Sequence, residues 1–170
     1  MSEWKMLTLV GADRPGIVAR VTDALYQSGW NLGEASMIRL GGNFTIMLMV
    51  AGHGDVQAAL LPVAREMGLH LHVDNIEGGL HQHRFPNYQV RVHGADRAGI
   101  VAQVTGALAA AGFNILELES DVAGTSAKPV YIMNIQGYAE AALETLQGAV
   151  AGLAKQGVEV AISPVEMLYG

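Results

Sequence analysis

The sequence contains no cysteine among its 170 residues. This absence excludes disulfide bonds, thiolate catalysis and any zinc or iron–sulfur site that depends on cysteine ligands. The sequence also lacks an apolar stretch as long as a transmembrane helix, and its first residues show no basic region followed by an apolar segment. We therefore expect a cytoplasmic protein that does not associate with membranes.

Positive charge is scarce as well. Ten Lys and Arg residues stand against 16 Asp and Glu residues, which gives a formal net charge of −6. The basic residues are scattered, whereas proteins that bind nucleic acid usually concentrate them on one face. The sequence therefore predicts no direct contact with nucleic acid.

One short motif occurs twice. Residues 11–16 read Gly-Ala-Asp-Arg-Pro-Gly, and residues 94–99 read Gly-Ala-Asp-Arg-Ala-Gly. The similarity continues beyond this motif, since 15 of the 24 positions in 11–34 are identical to those in 94–117. A match this dense within one chain indicates an internal duplication. We call the two copies of the hexapeptide the repeated corners.

The repeat predicts two domains, residues 1–78 and 88–170, joined by a linker over residues 79–87. In each domain, apolar runs and apolar residues at helical spacing indicate the order strand, helix, strand, strand, helix, strand. This order is typical of the ferredoxin-like fold, an α+β arrangement with both helices on one face of a four-stranded antiparallel sheet. The sequence therefore predicts two such domains in tandem.

The third strand is apolar on both of its faces. Thr45, Met47 and Met49 alternate with the residues expected in the core, so they point to the face without helices. A face in contact with water would carry more polar residues. We therefore expect the other domain or another chain to cover this face at least partly, and we expect a homo-oligomer.

The second domain shows two local differences. The sequence over residues 123–128 predicts a longer and more flexible connection than the tight hairpin predicted for residues 41–43 of the first domain. Apolar spacing also predicts one long last helix over residues 139–154.

The first repeated corner carries groups that suit an amino acid. Pro15 favours the first helical turn and Asp13 is expected to cap it. A helix that starts at Gly16 presents free N–H groups to a carboxylate. The carboxylate of Asp13 suits an ammonium group, and Asn31 on the next strand can both donate and accept hydrogen bonds. The candidate ligand-binding residues are Gly11, Asp13, Arg14, Pro15, Gly16 and Asn31 in the first copy, and Gly94, Asp96, Gly99 and Asn114 in the second.

A purely structural interpretation of the same residues is open. The hexapeptide is also a good turn between a strand and a helix, and the Asn residues could cap backbone groups. Arg14 and Arg97 could clamp a carboxylate, although a turn arginine more often is solvated or pairs with a neighbouring acid. The second copy has Ala98 in place of proline and is less rigid. If only one copy binds a ligand, we expect the first.

Histidines are the other residues that could bind a ligand. His70 and His72 lie two apart on a predicted strand, and His81 and His83 lie in the predicted linker. Neutral imidazoles at this spacing can bind zinc or nickel. Because the sequence offers no third fixed ligand, we predict no metal site.

A strand, an Asp-Arg-Pro-Gly turn, a helix and an Asn on the next strand together resemble the ACT domain, a family of small-molecule-sensing modules. The resemblance covers both repeats and implies two tandem ACT domains. It implies an amino-acid ligand at an interface between two such domains, near the turn and the Asn. This chain differs from some amino-acid-binding members of the family. Those members have His at the positions equivalent to Gly11 and Gly94, and Asn at the positions equivalent to Asp13 and Asp96.

The tandem, free-standing arrangement resembles the members of the family that act as repressors of glycine cleavage genes. It implies a regulator that senses a small amino acid such as glycine and acts through a protein partner such as a DNA-binding transcription activator. The alternative is a ligand-free ACT assembly or interaction module that regulates a metabolic enzyme. No Gly-x-Ser-x-Gly elbow and no phosphate loop are present. We therefore expect neither an enzymatic activity nor a cofactor.

Overall fold

The computed structural model of the protein describes residues 3–77, 84–95 and 99–166. The chain divides into two compact units, with the boundary between residues 81 and 82. Each unit has its own four-stranded antiparallel sheet and its own apolar core. The predicted linker over residues 79–87 lies partly outside the described residues, so its bounds and those of the two domains stay predictions.

The first unit has the strand order β2-β3-β1-β4. Its elements are β1 (Glu3–Ala12), α1 (Ile17–Gln27), β2 (Asn31–Leu40), β3 (Asn43–Gly52), α2 (Val56–Met67) and β4 (His70–Ile76). The second unit has the equivalent order β6-β7-β5-β8. Its elements are β5 (Tyr88–Ala95), α3 (Ile100–Ala110), β6 (Asn114–Thr125), β7 (Lys128–Tyr138), α4 (Leu143–Val150), a 3₁₀ helix (Ala151–Gln156) and β8 (Val158–Pro164). The predicted fold class of two tandem ferredoxin-like domains is confirmed.

The helices form where apolar residues recur every four positions. In α1 this spacing places Ile17, Val21 and Leu25 in the core as one buried stripe. Asp55 caps α2 by accepting a hydrogen bond from the N–H of Ala58 at 3.0 Å. No helix within the described residues has both the length and the apolar composition needed to cross a membrane.

The strands alternate between the core and the face without helices. Phe44, Ile46 and Leu48 of β3 are buried against the helices. On the opposite face Met49 is buried, whereas Met47 is 45% exposed. The expectation that a partner covers this face stays a prediction.

Two predictions for the second unit are wrong in detail. The connection over residues 123–128 is not a flexible loop, because β6 and β7 continue to the pair Thr125 and Lys128 and leave a two-residue turn. The last helix begins at Leu143 rather than at 139, and from Ala151 it tightens into a 3₁₀ helix. Its first turn has no side-chain cap, and glycines in its sequence weaken α-helical geometry.

Candidate functional site

A groove lies at the first repeated corner. It has a volume of about 310 Å³ and is bounded by the end of β1, the start of α1, the end of β2 and the start of β3. Its lining residues are Asp13, Arg14, Gly16, Ile17, Val18, Ala19, Met37, Arg39 and Phe44. The groove therefore combines an apolar floor with three charged side chains.

The sheet topology brings these segments together. Phe44, at the start of β3, pairs with Gly11 on one side and with Arg39 on the other. The β2–β3 turn is held against the corner, because the backbone N–H of Asp13 donates to the carbonyl of Gly42 at 3.1 Å. The ends of β1 and β2 thus lie at the same end of the sheet, on either side of β3.

An ion pair spans this end of the sheet. The Nε of Arg39 lies 2.7 Å from Oδ2 of Asp13, and the Arg39 side chain is 70% exposed while that of Asp13 is 30% exposed. The prediction that Asp13 caps α1 is wrong, since α1 has no side-chain cap and its N-cap residue is Gly16. The carboxylate of Asp13 pairs with Arg39 instead.

The start of α1 lines the groove, and no side chain caps its backbone N–H groups. Gly16 has a φ of +88°, a left-handed conformation that favours glycine. The first turn contains no acidic residue and receives no side-chain cap, in contrast to α2 with Asp55. The first N–H groups of an α-helix have no intrahelical acceptor, and the helix dipole makes this end attractive to anions.

Asn31 does not belong to this groove. It pairs with Ala51, which pairs with Trp4, so Asn31 lies level with the start of β1. Ala12 follows eight residues later on the same strand, a distance of about 26 Å at about 3.3 Å per residue. Asp13 and Asn31 of one domain are therefore too far apart to contact the same amino acid within that domain. The expectation of a ligand at an interface between two domains, near the turn and the Asn, stays a prediction.

The other first-copy residues have different surroundings. Gly11 faces the turn between α2 and β4, where an added Cβ would lie 2.8 Å from Cδ2 of Leu69 and 2.9 Å from the carbonyl oxygen of Gly68. Its glycine identity therefore serves packing. Pro15 is exposed in the corner and is not among the residues that line the groove. Arg14 does line it.

In the second copy, Asp96, Arg97 and Ala98 lie outside the described residues. Gly99 repeats the left-handed N-cap of α3, with a φ of +91° and no side-chain cap. Gly94 pairs with Tyr131 of β7. Asn114 pairs with Tyr138, at the opposite end of its sheet from Gly94.

The second unit has no arginine at the position of Arg39. In the first unit, Phe44 pairs with Gly11 on one neighbouring strand and with Arg39 on the other. In the second unit, Tyr131 pairs with Gly94 and with Val122 in the same way, so Val122 is equivalent to Arg39. Val122 is 52% exposed. The surroundings of the two repeated corners therefore differ in charge, in addition to the replacement of Pro15 by Ala98 within the corner.

No group of three or more His, Cys, Asp or Glu side chains suited to a metal ion occurs within the described residues. His72 Nε2 lies 3.2 Å from Oδ1 of Asp74 on the edge strand β4. His81 and His83 lie outside the described residues. The structure brings no third ligand to His70 and His72 within the part that it describes.

Sequence reasoning did not find Arg39. The residue precedes the predicted Gly41–Gly42 turn by two positions, and in a ferredoxin-like sheet the end of the second strand lies at the same end as the first corner. The predicted topology was therefore sufficient to place Arg39 near the first corner. The same reasoning would have placed Asn31 at the far end.

Comparison with known proteins agrees with the fold and the repeat. ACT domain models match residues 6–74 and 88–142. The chain is 36% identical over 74 residues to the UPF0237 protein YjhC of Lactococcus lactis subsp. lactis, covering 41% of this chain and 85% of that protein. A crystal structure of an unknown protein from Galdieria sulphuraria has a TM-score of 0.76 at 24% identity, covering 98% of this chain and all of its own.

A second crystal structure is that of a protein given the provisional name of glycine cleavage system transcriptional repressor. It has a TM-score of 0.72 at 20% identity and covers 98% of this chain and 99% of its own. At this identity the likeness concerns the fold. The fold defines the class of the protein as two tandem ferredoxin-like domains. The family models cover more than two thirds of the chain, which therefore belongs to the ACT domain family.

Proposed function

We propose that this protein is a non-enzymatic regulator whose first domain binds a small amino acid in the groove at Asp13 and Arg39. Membership of the ACT family supports a regulatory role in amino-acid sensing. The observation that carries the proposal is the groove itself, which combines a carboxylate, a guanidinium and an uncapped helix start around an apolar floor. Both charged ends of an amino acid find a complementary group there.

The resemblance to repressors of glycine cleavage genes makes glycine the first ligand to test. The scarcity of Lys and Arg in a chain of net charge −6 favours action through a protein partner, such as a DNA-binding transcription activator. In this proposal, occupancy of the groove changes the affinity for that partner, and by linkage the partner changes the affinity for the amino acid equally.

Isothermal titration calorimetry of the whole protein against each of the twenty amino acids tests this function. We expect saturable heat with at least one of them, and reduced affinity in the Asp13→Ala variant. Asn31→Ala distinguishes this groove from a site at an interface between two domains, because Asn31 lies at the other end of the same sheet. Absence of heat with every amino acid would refute the sensing function.

A second candidate function rests on the face of the first sheet that carries no helices. Val10, Ile38 and Met47 are exposed there, and exposed apolar patches commonly mark interaction surfaces. In this alternative the protein is a ligand-free assembly module that regulates a metabolic enzyme. It predicts an oligomer, measured by light scattering, whose size is the same in wild type and in Asp13→Ala at every amino-acid concentration.

A further inference from the structure

We infer that an amino-acid ligand opens the ion pair between Arg39 and Asp13. Arg39 then binds the carboxylate of the ligand and determines the specificity of the groove. This inference rests on the proposed function and names the residue and the ligand form that the groove selects. The geometry points to it because both charged groups line one groove and already contact each other at 2.7 Å.

The chemistry of the two partners matches an amino-acid zwitterion. An ionised carboxylate only accepts hydrogen bonds, and a guanidinium only donates them. Asp13 can therefore take the ammonium group and Arg39 the carboxylate group of the same ligand. A zwitterion replaces one ion pair with two, whereas a simple amine or a simple carboxylate only exchanges one pair for another.

The pair is placed so that it can open. The Arg39 side chain is 70% exposed, and exposed ion pairs contribute little to stability because water and salt screen them. Opening the pair therefore costs the fold little. Arg39 lies on β2, an edge strand of the sheet, so its side chain can turn from Asp13 to a ligand without repacking the core.

The second unit provides an internal comparison. Its residue at the position of Arg39 is Val122, which offers no charge to a carboxylate. The receptor is therefore present in the first unit and missing from the equivalent place in the second. We expect one zwitterion to bind per chain by this arrangement.

The test compares binding of the amino acids by Arg39→Val, Arg39→Lys and wild type, using calorimetry on the whole protein. Arg39→Val places the residue of the second unit at an exposed strand position, where a β-branched side chain fits. Loss of a charge-assisted contact predicts affinity at least about tenfold lower for every amino acid that binds the wild type. Arg39→Lys retains the positive charge but not the planar guanidinium group, and it should lose less affinity than Arg39→Val.

Arg14→Ala tests the other arginine that lines the groove. Arg65→Ala is the matched control, because Arg65 is exposed on α2 and does not line the groove. We expect the affinity of Arg65→Ala to stay close to that of wild type. Equal affinity of Arg39→Val and wild type, or a larger loss in Arg14→Ala than in Arg39→Val, would overturn the inference and leave the proposed function intact. Failure of the wild type to bind any amino acid would remove the proposed function and this inference together.

A second measurement follows the opening itself. In the nuclear magnetic resonance spectrum, the Arg39 Nε–H signal should move when the amino acid is added, and Asp13→Asn should move it without ligand. Acetate alone and methylammonium alone should not compete with the amino acid at concentrations where the amino acid saturates. An Arg39 Nε–H signal that stays unchanged at saturation would show that the pair remains closed, and would overturn the inference.

Discussion

The side-chain amide of Asn87 forms hydrogen bonds to both backbone groups of Ala139. Its Nδ2 donates to the carbonyl of Ala139 at 2.7 Å, and its Oδ1 accepts from the N–H of Ala139 at 3.0 Å. The backbone of Asn87 also forms hydrogen bonds to Gly137 of β7 and to Val165, which directly follows β8. Asn87 thus extends the pairing of the second sheet by one position, although the sequence places it in a linker.

We predict that Asn87→Ala destabilises the second domain. Ala139 is only 3% exposed, so both of its backbone groups lose their partners, at a cost of about 1–3 kcal/mol. The two tryptophans, Trp4 and Trp30, both lie in the first domain. In urea unfolding the far-UV circular dichroism transition should therefore shift, while the tryptophan fluorescence transition should not.

Asn43→Ala is the control for this prediction, since Asn43 makes one exposed hydrogen bond to the carbonyl of Gly41. It should change stability by less than about 0.5 kcal/mol. A fluorescence shift as large as the circular dichroism shift in Asn87→Ala would contradict the assignment of Asn87 to the second domain.

A second prediction concerns acid. Arg20 of α1 makes a two-pronged ion pair with Glu66 of α2, with Nη1 donating to Oε1 at 2.7 Å and Nη2 donating to Oε2. The hydrogen bonds from Arg20 lower the pKa of the Glu66 carboxyl from its usual value of 4.5 and raise the pKa of Arg20, and Arg14 adds to the lowering. A lowered pKa means that the folded state binds this proton less well than the unfolded state.

The contribution of Glu66 to stability is therefore fully present above pH 4.5 and is lost as the pH falls through the lowered pKa. We predict that the urea midpoint of the first domain, followed by tryptophan fluorescence, falls more steeply below pH 4.5 in wild type than in Glu66→Gln. The control is Glu3→Gln. Equal slopes for wild type and Glu66→Gln would show that the pair does not couple the two helices in solution.

The third prediction separates the equivalent glycines Gly11 and Gly94. A Cβ at Gly11 would lie 2.9 Å from the carbonyl oxygen of Gly68, whereas at Gly94 the nearest atom would be at an ordinary 3.5 Å. Gly11→Ala should destabilise the first domain by about 1–3 kcal/mol, because backbone has to move. Gly94→Ala should stay within about 0.5 kcal/mol of wild type.

The measurement is urea unfolding, followed by fluorescence for Gly11→Ala and by circular dichroism for Gly94→Ala. Amino-acid binding provides a second readout, because Gly11 does not line the groove. The folded Gly11→Ala variant should bind with wild-type affinity. A stable Gly11→Ala variant that has lost binding would instead make Gly11 a ligand contact.

The elements that could be predicted are those that local pattern specifies. Apolar residues at helical spacing predicted α1, in which Ile17, Val21 and Leu25 are buried in the core. The last helix was predicted to begin at residue 139 rather than at Leu143, because the apolar spacing extends over residues 139–142. No side-chain cap marks the true start of this helix. The flexible connection at 123–128 was wrong because pairing with β7 extends β6.

The candidate site shows a different limit. Asp13 was identified from its motif, but its partner Arg39 lies 26 residues further along the chain. Asn31 was included because it lies on the strand that follows the first corner and can donate and accept hydrogen bonds. Position along the chain says nothing about which end of the sheet a residue occupies. The strand direction places Asn31 away from the groove of its own domain.

The duplication of two strand–helix–strand–strand–helix–strand units could be predicted from the amino-acid sequence, because a repeat and the periodicity of apolar residues are local properties. Which charged groups meet could be seen only in the folded chain. Because β1 and β2 both pair antiparallel with β3, their ends lie at the same end of the sheet. Arg39 therefore contacts Asp13, whereas Asn31 lies at the opposite end. Contacts between residues distant in sequence depend on strand order and register, which no short motif specifies.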